Sequence, residues 1–278
     1  MLDLGPARAL TPADPAGFQR ARGSARVALS RDGGRTRLER LAQAGSAKAF
    51  LPDVHRAVPE VVFLNTAGGL TGGDRLSFAV DLGPGAAAVA ATQTAERAYR
   101  SAGGAAAMEV RLTLGAGASL DWLPQETILF DGAALTRTTR ADLGPGARVL
   151  MAESLVLGRA AMGETVRRVA LTDRREVWRG GVPVVIDAFR LEDDTLVARP
   201  ALLAGDRAIG VLWLVDQGAE DAVGALRAAL GPDAGVSGWD GRCAVRLAAQ
   251  DGLTLRRKVA AALHVLRRGA PLPRVWQI

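Results

Sequence analysis

Three segments of the chain repeat one short phrase: Val80-Asp81-Leu82-Gly83-Pro84-Gly85-Ala86, Leu112-Thr113-Leu114-Gly115-Ala116-Gly117-Ala118 and Ala141-Asp142-Leu143-Gly144-Pro145-Gly146-Ala147. The leucines before each turn, Leu82, Leu114 and Leu143, are 32 and 29 residues apart. A repeat near this length, closed each time by a glycine turn, suggests stacked units of two or three short strands. Within the units apolar residues recur at every second position, as at Leu76, Phe78, Val80 and Leu82 or Met108, Val110, Leu112 and Leu114. That is the period of a half-buried strand.

Further strands are expected at 26–30, 36–41, 60–65, 87–92, 119–123, 127–130, 135–141, 148–157, 165–172, 175–179, 182–191 and 208–215. Helix signals appear only late. One helix is expected over 219–230, stopped by Gly231-Pro232, and a second over 254–268, with Asp251 or Thr254 as its cap and Gly269 and Pro271 beyond it. The fold class expected is mainly β: a β-helix-like stack of short strands, with a barrel or sandwich as the alternative closure, and two helices near the C-terminus. Residues 1–20, with Pro6, Pro12 and Pro15, are expected to be a flexible N-terminal segment, and 21–278 to form a single domain.

Composition narrows the functions. The 278 residues carry a formal charge of +6, supplied almost wholly by arginine, since Lys48 and Lys258 are the only lysines. The basic runs are not interleaved with the aromatic residues on which single-stranded nucleic acids stack, so a solvated face or a protein interface is expected rather than nucleic acid. Cys243 is the only cysteine, which excludes an internal disulfide and fits a reducing compartment. No secretory leader and no apolar stretch of spanning length is present, and the expectation is a cytoplasmic protein with no membrane partner.

The chain has two histidines, His55 and His264, and neither has a spaced partner. A high-affinity metal site is therefore not expected. The loop Gly68-Gly69-Leu70-Thr71-Gly72-Gly73-Asp74 leads into a strand instead of a helix, so it is a shaped turn and not a phosphate cradle. Carboxylates are the more informative groups. Glu126 follows Gln125, Asp131 opens a turn, Glu164 closes the Gly158–Glu164 segment, and Glu153 interrupts an apolar strand. A carboxylate buried there requires a partner or becomes neutral. Three readings stay open for it: an ion pair with an arginine such as Arg159, a polar passage lined by acids, or the paired acids of a carbohydrate-active β-helix enzyme. Tyr99 and Arg100, beside Gly103-Gly104, are candidates for partner contact.

Taken in order, Gly68-Gly69-x-x-Gly72-Gly73-Asp74, the stretch ending Tyr99-Arg100-Ser101, Trp122-Leu-Pro-Gln125-Glu126-Thr127, Gly158-Arg159-x-x-Met162-Gly163-Glu164 and the arginine-rich last helix resemble the urease accessory protein UreD family over about residues 20 to 270. Ala67 and Glu96-Arg97-Ala98 depart from it, where relatives often carry a proline and a lysine. The resemblance implies a β-helical, non-enzymatic scaffold that binds apo-urease and, on another side, UreF and through it UreG. It also implies nickel in transit through a polar tunnel, with no intrinsic cofactor. Candidates for that passage are Glu153 and Glu126, with Asp74 and Glu164 as further members. Candidates for partner contact are Tyr99, Arg100, Gln125 and Arg159. Few lysines and an Ala- and Leu-rich composition also imply poor solubility without UreF.

Overall fold

The computed structural model describes residues 20–53, 56–159, 162–193, 203 and 205–277. Residues 1–19, assigned above to a flexible segment, and His55 lie outside the described residues.

Two sheets face each other. One comprises β1 (Arg22–Asp32), β2 (Arg35–Gly45), β5 (Arg75–Leu82), β8 (Ala106–Leu114), β11 (Ala133–Leu143), β13 (Val169–Arg179) and β14 (Val182–Glu192), in the order β14-β13-β11-β8-β5-β1-β2. The other runs β16-β17-β15-β12-β9-β6-β4-β3, from β3 (Ala47–Phe50), β4 (Glu60–Asn65), β6 (Ala87–Thr92), β9 (Ser119–Trp122), β12 (Arg148–Leu157), β15 (Ala208–Val215), β16 (Gly235–Trp239) and β17 (Arg242–Ala249). The short strands β7 (Glu96–Ala98) and β10 (Thr127–Leu129) pair beside β12.

The three repeated phrases each carry the chain from one sheet to the other, from β5 to β6, β8 to β9 and β11 to β12. Neighbouring strands within these coils are parallel, and Leu82, Leu114 and Leu143 are Cα partners in a single rung. The mainly β, solenoid-like stack is thus present, with antiparallel strands added at both margins. The turns stack as closely as the strands. A Cβ on Gly115 would lie 2.7 Å from the Pro84 nitrogen, and one on Gly144 would lie 2.8 Å from the Ala116 nitrogen. Gly85, Gly117 and Gly146 each take φ of 65°. Glycine recurs in the phrase because backbone packs on backbone there and the chain passes through the left-handed region.

The core lies between the sheets. Val27, Val80, Leu112, Ala141 and Val177 form one buried rung. Ala88, Leu120, Val149 and Val215 form another on the facing sheet. The second sheet is buried on its outer side as well, where Leu150, Leu212 and Leu214 meet α1 (Ala222–Leu230) and α2 (Gly252–Leu266). Asp251 caps α2 by accepting from the Thr254 backbone N–H at 2.7 Å. The helices fall within a few residues of the expected spans.

Several strands differ from expectation. Segments 165–172 and 175–179 are replaced by one strand, β13, with no break at Asp173-Arg174. Strands β3, β7, β16 and β17 were not expected. β3 and β7 are too short to show a period, while β16 and β17 form a hairpin through Asp240-Gly241, with Gly241 at φ of 71°. No helix among the described residues is long and apolar enough to cross a membrane.

Candidate functional site

Strand alternation places charged side chains inside the molecule. On β11, Arg137 and Thr139 share the inward face with Leu135 and Ala141; on β13, Asp173 and Arg175 share it with Leu171 and Val177; Glu153 projects from β12 opposite them. All five are at most 3% exposed. Arg137 clamps Asp173 through Nε at 2.8 Å and Nη2 at 2.6 Å. Arg175 donates through Nη2 to Asp173 and through Nε to Glu153 at 2.8 Å. The other Glu153 oxygen accepts from the Thr139 hydroxyl at 2.6 Å and the Trp122 indole at 3.4 Å.

The polar contacts continue to both sides. Arg137 donates to the Thr127 hydroxyl at 3.1 Å, and Thr127 is the Cα partner of Glu96. On the other side Arg175 reaches Asp187 at 3.4 Å, which also accepts from the Trp213 indole at 2.9 Å and pairs with Arg246 at 3.0 Å. The Arg246 side chain is 43% exposed. A thread of polar groups therefore crosses the apolar interior, ending at the surface beside β17. Its three arginines balance its three partner acids, as buried charges must be balanced.

Burial alone would raise the Glu153 carboxyl, but Arg137 and Arg175, with hydrogen bonds from Thr139 and Arg175, outweigh it and hold it at about 2. Glu96 is the opposite case. Burial pushes its carboxyl up to about 7, against the lowering effect of the Asn65 side chain and the Arg97 backbone N–H and charge. The Asn65 contacts are long, 3.3 Å to each oxygen. A small pocket of about 30 Å³, lined by Phe63, Phe78, Thr92 and Glu96 among others, adjoins this residue. It has room for a water molecule. Among the described residues no three His, Cys, Asp or Glu side chains converge in a way that could hold a metal ion.

The candidates read from the sequence are dispersed. Only Glu153 lies on the thread, and its partners are Arg137 and Arg175, not Arg159. Asp74 is buried and ties the glycine loop, accepting from the Ala21 and Thr71 backbone N–H groups at 2.8 Å each. Glu126 sits 3.7 Å from Arg256 with 31% of its side chain exposed. Gln125 is buried and holds the C-terminal tail through its 2.9 Å bond to the Val275 carbonyl.

The remaining candidates converge at one pole. Tyr99 stands edge-on to Phe130 at 4.9 Å, and Arg159 lies over the same ring at 4.6 Å. Arg159 pairs with Glu164 at 2.9 Å, Glu164 accepts from the Asp131 N–H, and Asp131 pairs with Arg100 at 2.8 Å. The glycine loop closes on this pole, with Tyr99 Oη donating to the Gly68 carbonyl at 3.2 Å. A Cβ on Gly69 would lie 2.3 Å from the Tyr99 ring, and one on Gly72 would lie 2.1 Å from Ser101 Oγ. Gly73 takes φ of 88°. Tyr99 is 38% exposed, and Arg100 and Arg159 expose 61% and 49% of their side chains.

Arg137, Asp173, Arg175 and Asp187 are not singled out from sequence, and Glu96 stands there only as a departure from the family pattern. The missed signal is a charged residue in phase with apolar neighbours, as in Leu135-x-Arg137-x-Thr139-x-Ala141.

Comparison with known proteins gives a consistent result. The family model described as UreD urease accessory protein matches residues 21–277. The chain is 56% identical over 274 residues to a urease accessory protein UreD of Cereibacter sphaeroides, covering 97% of this chain and 99% of that one. It is 53% identical to the UreD of Dinoroseobacter shibae, over 94% of each chain, and 43% identical to that of Rhizobium leguminosarum bv. viciae, over 94% and 96%.

Proposed function

The chain belongs to the UreD family of urease accessory proteins, and on that footing we propose that it is a non-catalytic scaffold of urease maturation in the cytoplasm. It joins apo-urease to UreF, and through UreF to UreG, while nickel passes through it as cargo. The observation that carries this reading is the thread from Thr127 through Arg137, Asp173, Arg175 and Glu153 to Asp187 and Arg246, with Glu96 at the strand position next to Thr127. Polar groups are costly in such a core unless they are paired, and this set gives a cation an interior route that a purely apolar core would deny it.

A conduit must release what it binds. Every acid in the ion-paired part of the thread is already met by an arginine, so a dication is held there only by displacing such a contact. Glu96, which makes no ion pair among the described residues, is the acid a cation reaches without that exchange. The pole of Tyr99, Arg100 and Arg159 supplies exposed aromatic and arginine side chains of the kind that anchor protein partners. The carbohydrate-active alternative loses its support, because Glu153 and Asp173 are enclosed and salt-bridged instead of flanking an open groove.

Co-expression tests the scaffold. The full chain should co-elute with apo-urease and with UreF, and urease matured without it should lack nickel. Failure to bind both, or fully nickel-loaded urease in its absence, would overturn the reading.

A further inference from the structure

The outward face of the seven-stranded sheet is held by short ion pairs. Arg26 meets Asp81 and Arg111 meets Glu109, each at 2.6 Å; Arg140 meets Asp142 at 2.7 Å; Arg174 pairs with Glu176 and Arg190 with Glu192. Arg22 and Arg75 break this pattern. They are the remaining outward arginines on β1, β5, β8, β11, β13 and β14; Arg40 on the edge strand β2 also lacks an acid among the described residues, but only Arg22 and Arg75 are Cα partners of each other, on adjacent parallel strands. Both are exposed, and neither guanidinium meets an acid among the described residues. Like charges placed side by side on a sheet are destabilising, so the pair is a cost that the fold itself does not require.

What surrounds the pair has the chemistry of a ligand site. Ser24 and Ser77, one rung further along the same face, are also Cα partners. The four side chains border an open depression of about 480 Å³, whose other lining includes Ala44, Gly45 and Ala107. Glu109 stands on its rim, with its carboxylate engaged by Arg111. The small residues keep the floor low and leave the guanidiniums free to turn towards a common guest.

The geometry points to an oxyanion site of phosphate type, in which Arg22 and Arg75 hold the charge and the Ser24 and Ser77 hydroxyls donate to the remaining oxygens. Paired guanidiniums suit a dianionic, tetrahedral group because each can donate two parallel N–H bonds. This site lies on the solvent side of the sheet and does not depend on the interior thread.

Inorganic phosphate is the probe, titrated into the full chain by calorimetry and followed by ³¹P line width. Saturable binding is expected for the wild type, and it should weaken by about tenfold or more in the double variant Arg22→Ala with Arg75→Ala. Arg190→Ala, which removes an ion-paired arginine of the same face away from the depression, should bind as the wild type does. The double variant should melt no lower than the parent, since a like-charge contact is removed. Absence of saturable binding, unchanged affinity in the double variant, an equal loss in Arg190→Ala, or competition by acetate as strong as that by phosphate at equal ionic strength would each overturn the assignment.

Discussion

Glu153 stays ionised in an interior that would otherwise protonate it, because two guanidiniums and a hydroxyl converge on its oxygens. Its carboxyl lies below the unfolded value, so its stabilising effect is complete above about pH 4.5. That effect is lost as pH falls towards 2. Glu153→Ala leaves Arg175 without its Glu153 partner in the core and should cost about 3–5 kcal/mol. The same variant should unfold with a flatter acid limb than the wild type, read from urea midpoints between pH 5 and pH 2.5. Glu96 carries the opposite sign. Its carboxyl lies above the unfolded value, so its ionised form is penalised, and that penalty grows as pH rises from about 4.5 through 7. Glu96→Gln should therefore raise the Tm at pH 8 and leave it nearly unchanged at pH 4.5. An equal Tm at pH 8 would contradict the burial argument.

The stacked turn is the element that sets the register of the solenoid. Gly144→Ala forces a Cβ against the preceding turn's backbone and should cost about 1–3 kcal/mol, seen as a lower urea midpoint. Leu114→Ala, in the leucine rung, should cost about 2–5 kcal/mol. Arg111→Ala on the solvent face should change stability by less than about 1 kcal/mol. A sequence reader could see this element, because stacking demands the same residues at each turn: Leu82, Leu114 and Leu143 are periodic in the chain and adjacent in space. The interior thread was harder to see. Splitting β13 at Asp173-Arg174 hid that Asp173 and Arg175 keep the phase of Leu171 and Val177, and partners in an ion pair come from strands far apart in the chain. The β16–β17 hairpin was legible in Asp240-Gly241 and in the alternation of Cys243, Val245 and Leu247. The pole around Tyr99 was legible as separate motifs but not as a cluster.

The whole molecule covers one sheet with helices and leaves the other open, and its margins expose apolar side chains such as Leu38, Leu41, Ile186 and Trp239. A bulge in β2 places Leu38 and Leu41 opposite the inward residues Leu29 and Val27, so both leucines belong to the core face yet remain 46% and 40% exposed. Light scattering of the chain alone should show association, relieved when UreF is present; a monodisperse, concentrated monomer would contradict this.

The passage through the interior is tested most directly by making it apolar without stranding a charge. Glu153→Leu combined with Arg175→Met removes one acid and one arginine, leaves Arg137 on Asp173 and Arg246 on Asp187, and should retain the fold, since hydrophobic replacement of a buried pair is often neutral. The measurement is nickel per urease active site, by elemental analysis, after maturation with this variant. Unchanged assembly with apo-urease and UreF and a clear loss of nickel are expected, whereas full nickel occupancy in the presence of the folded variant would contradict a passage through the interior.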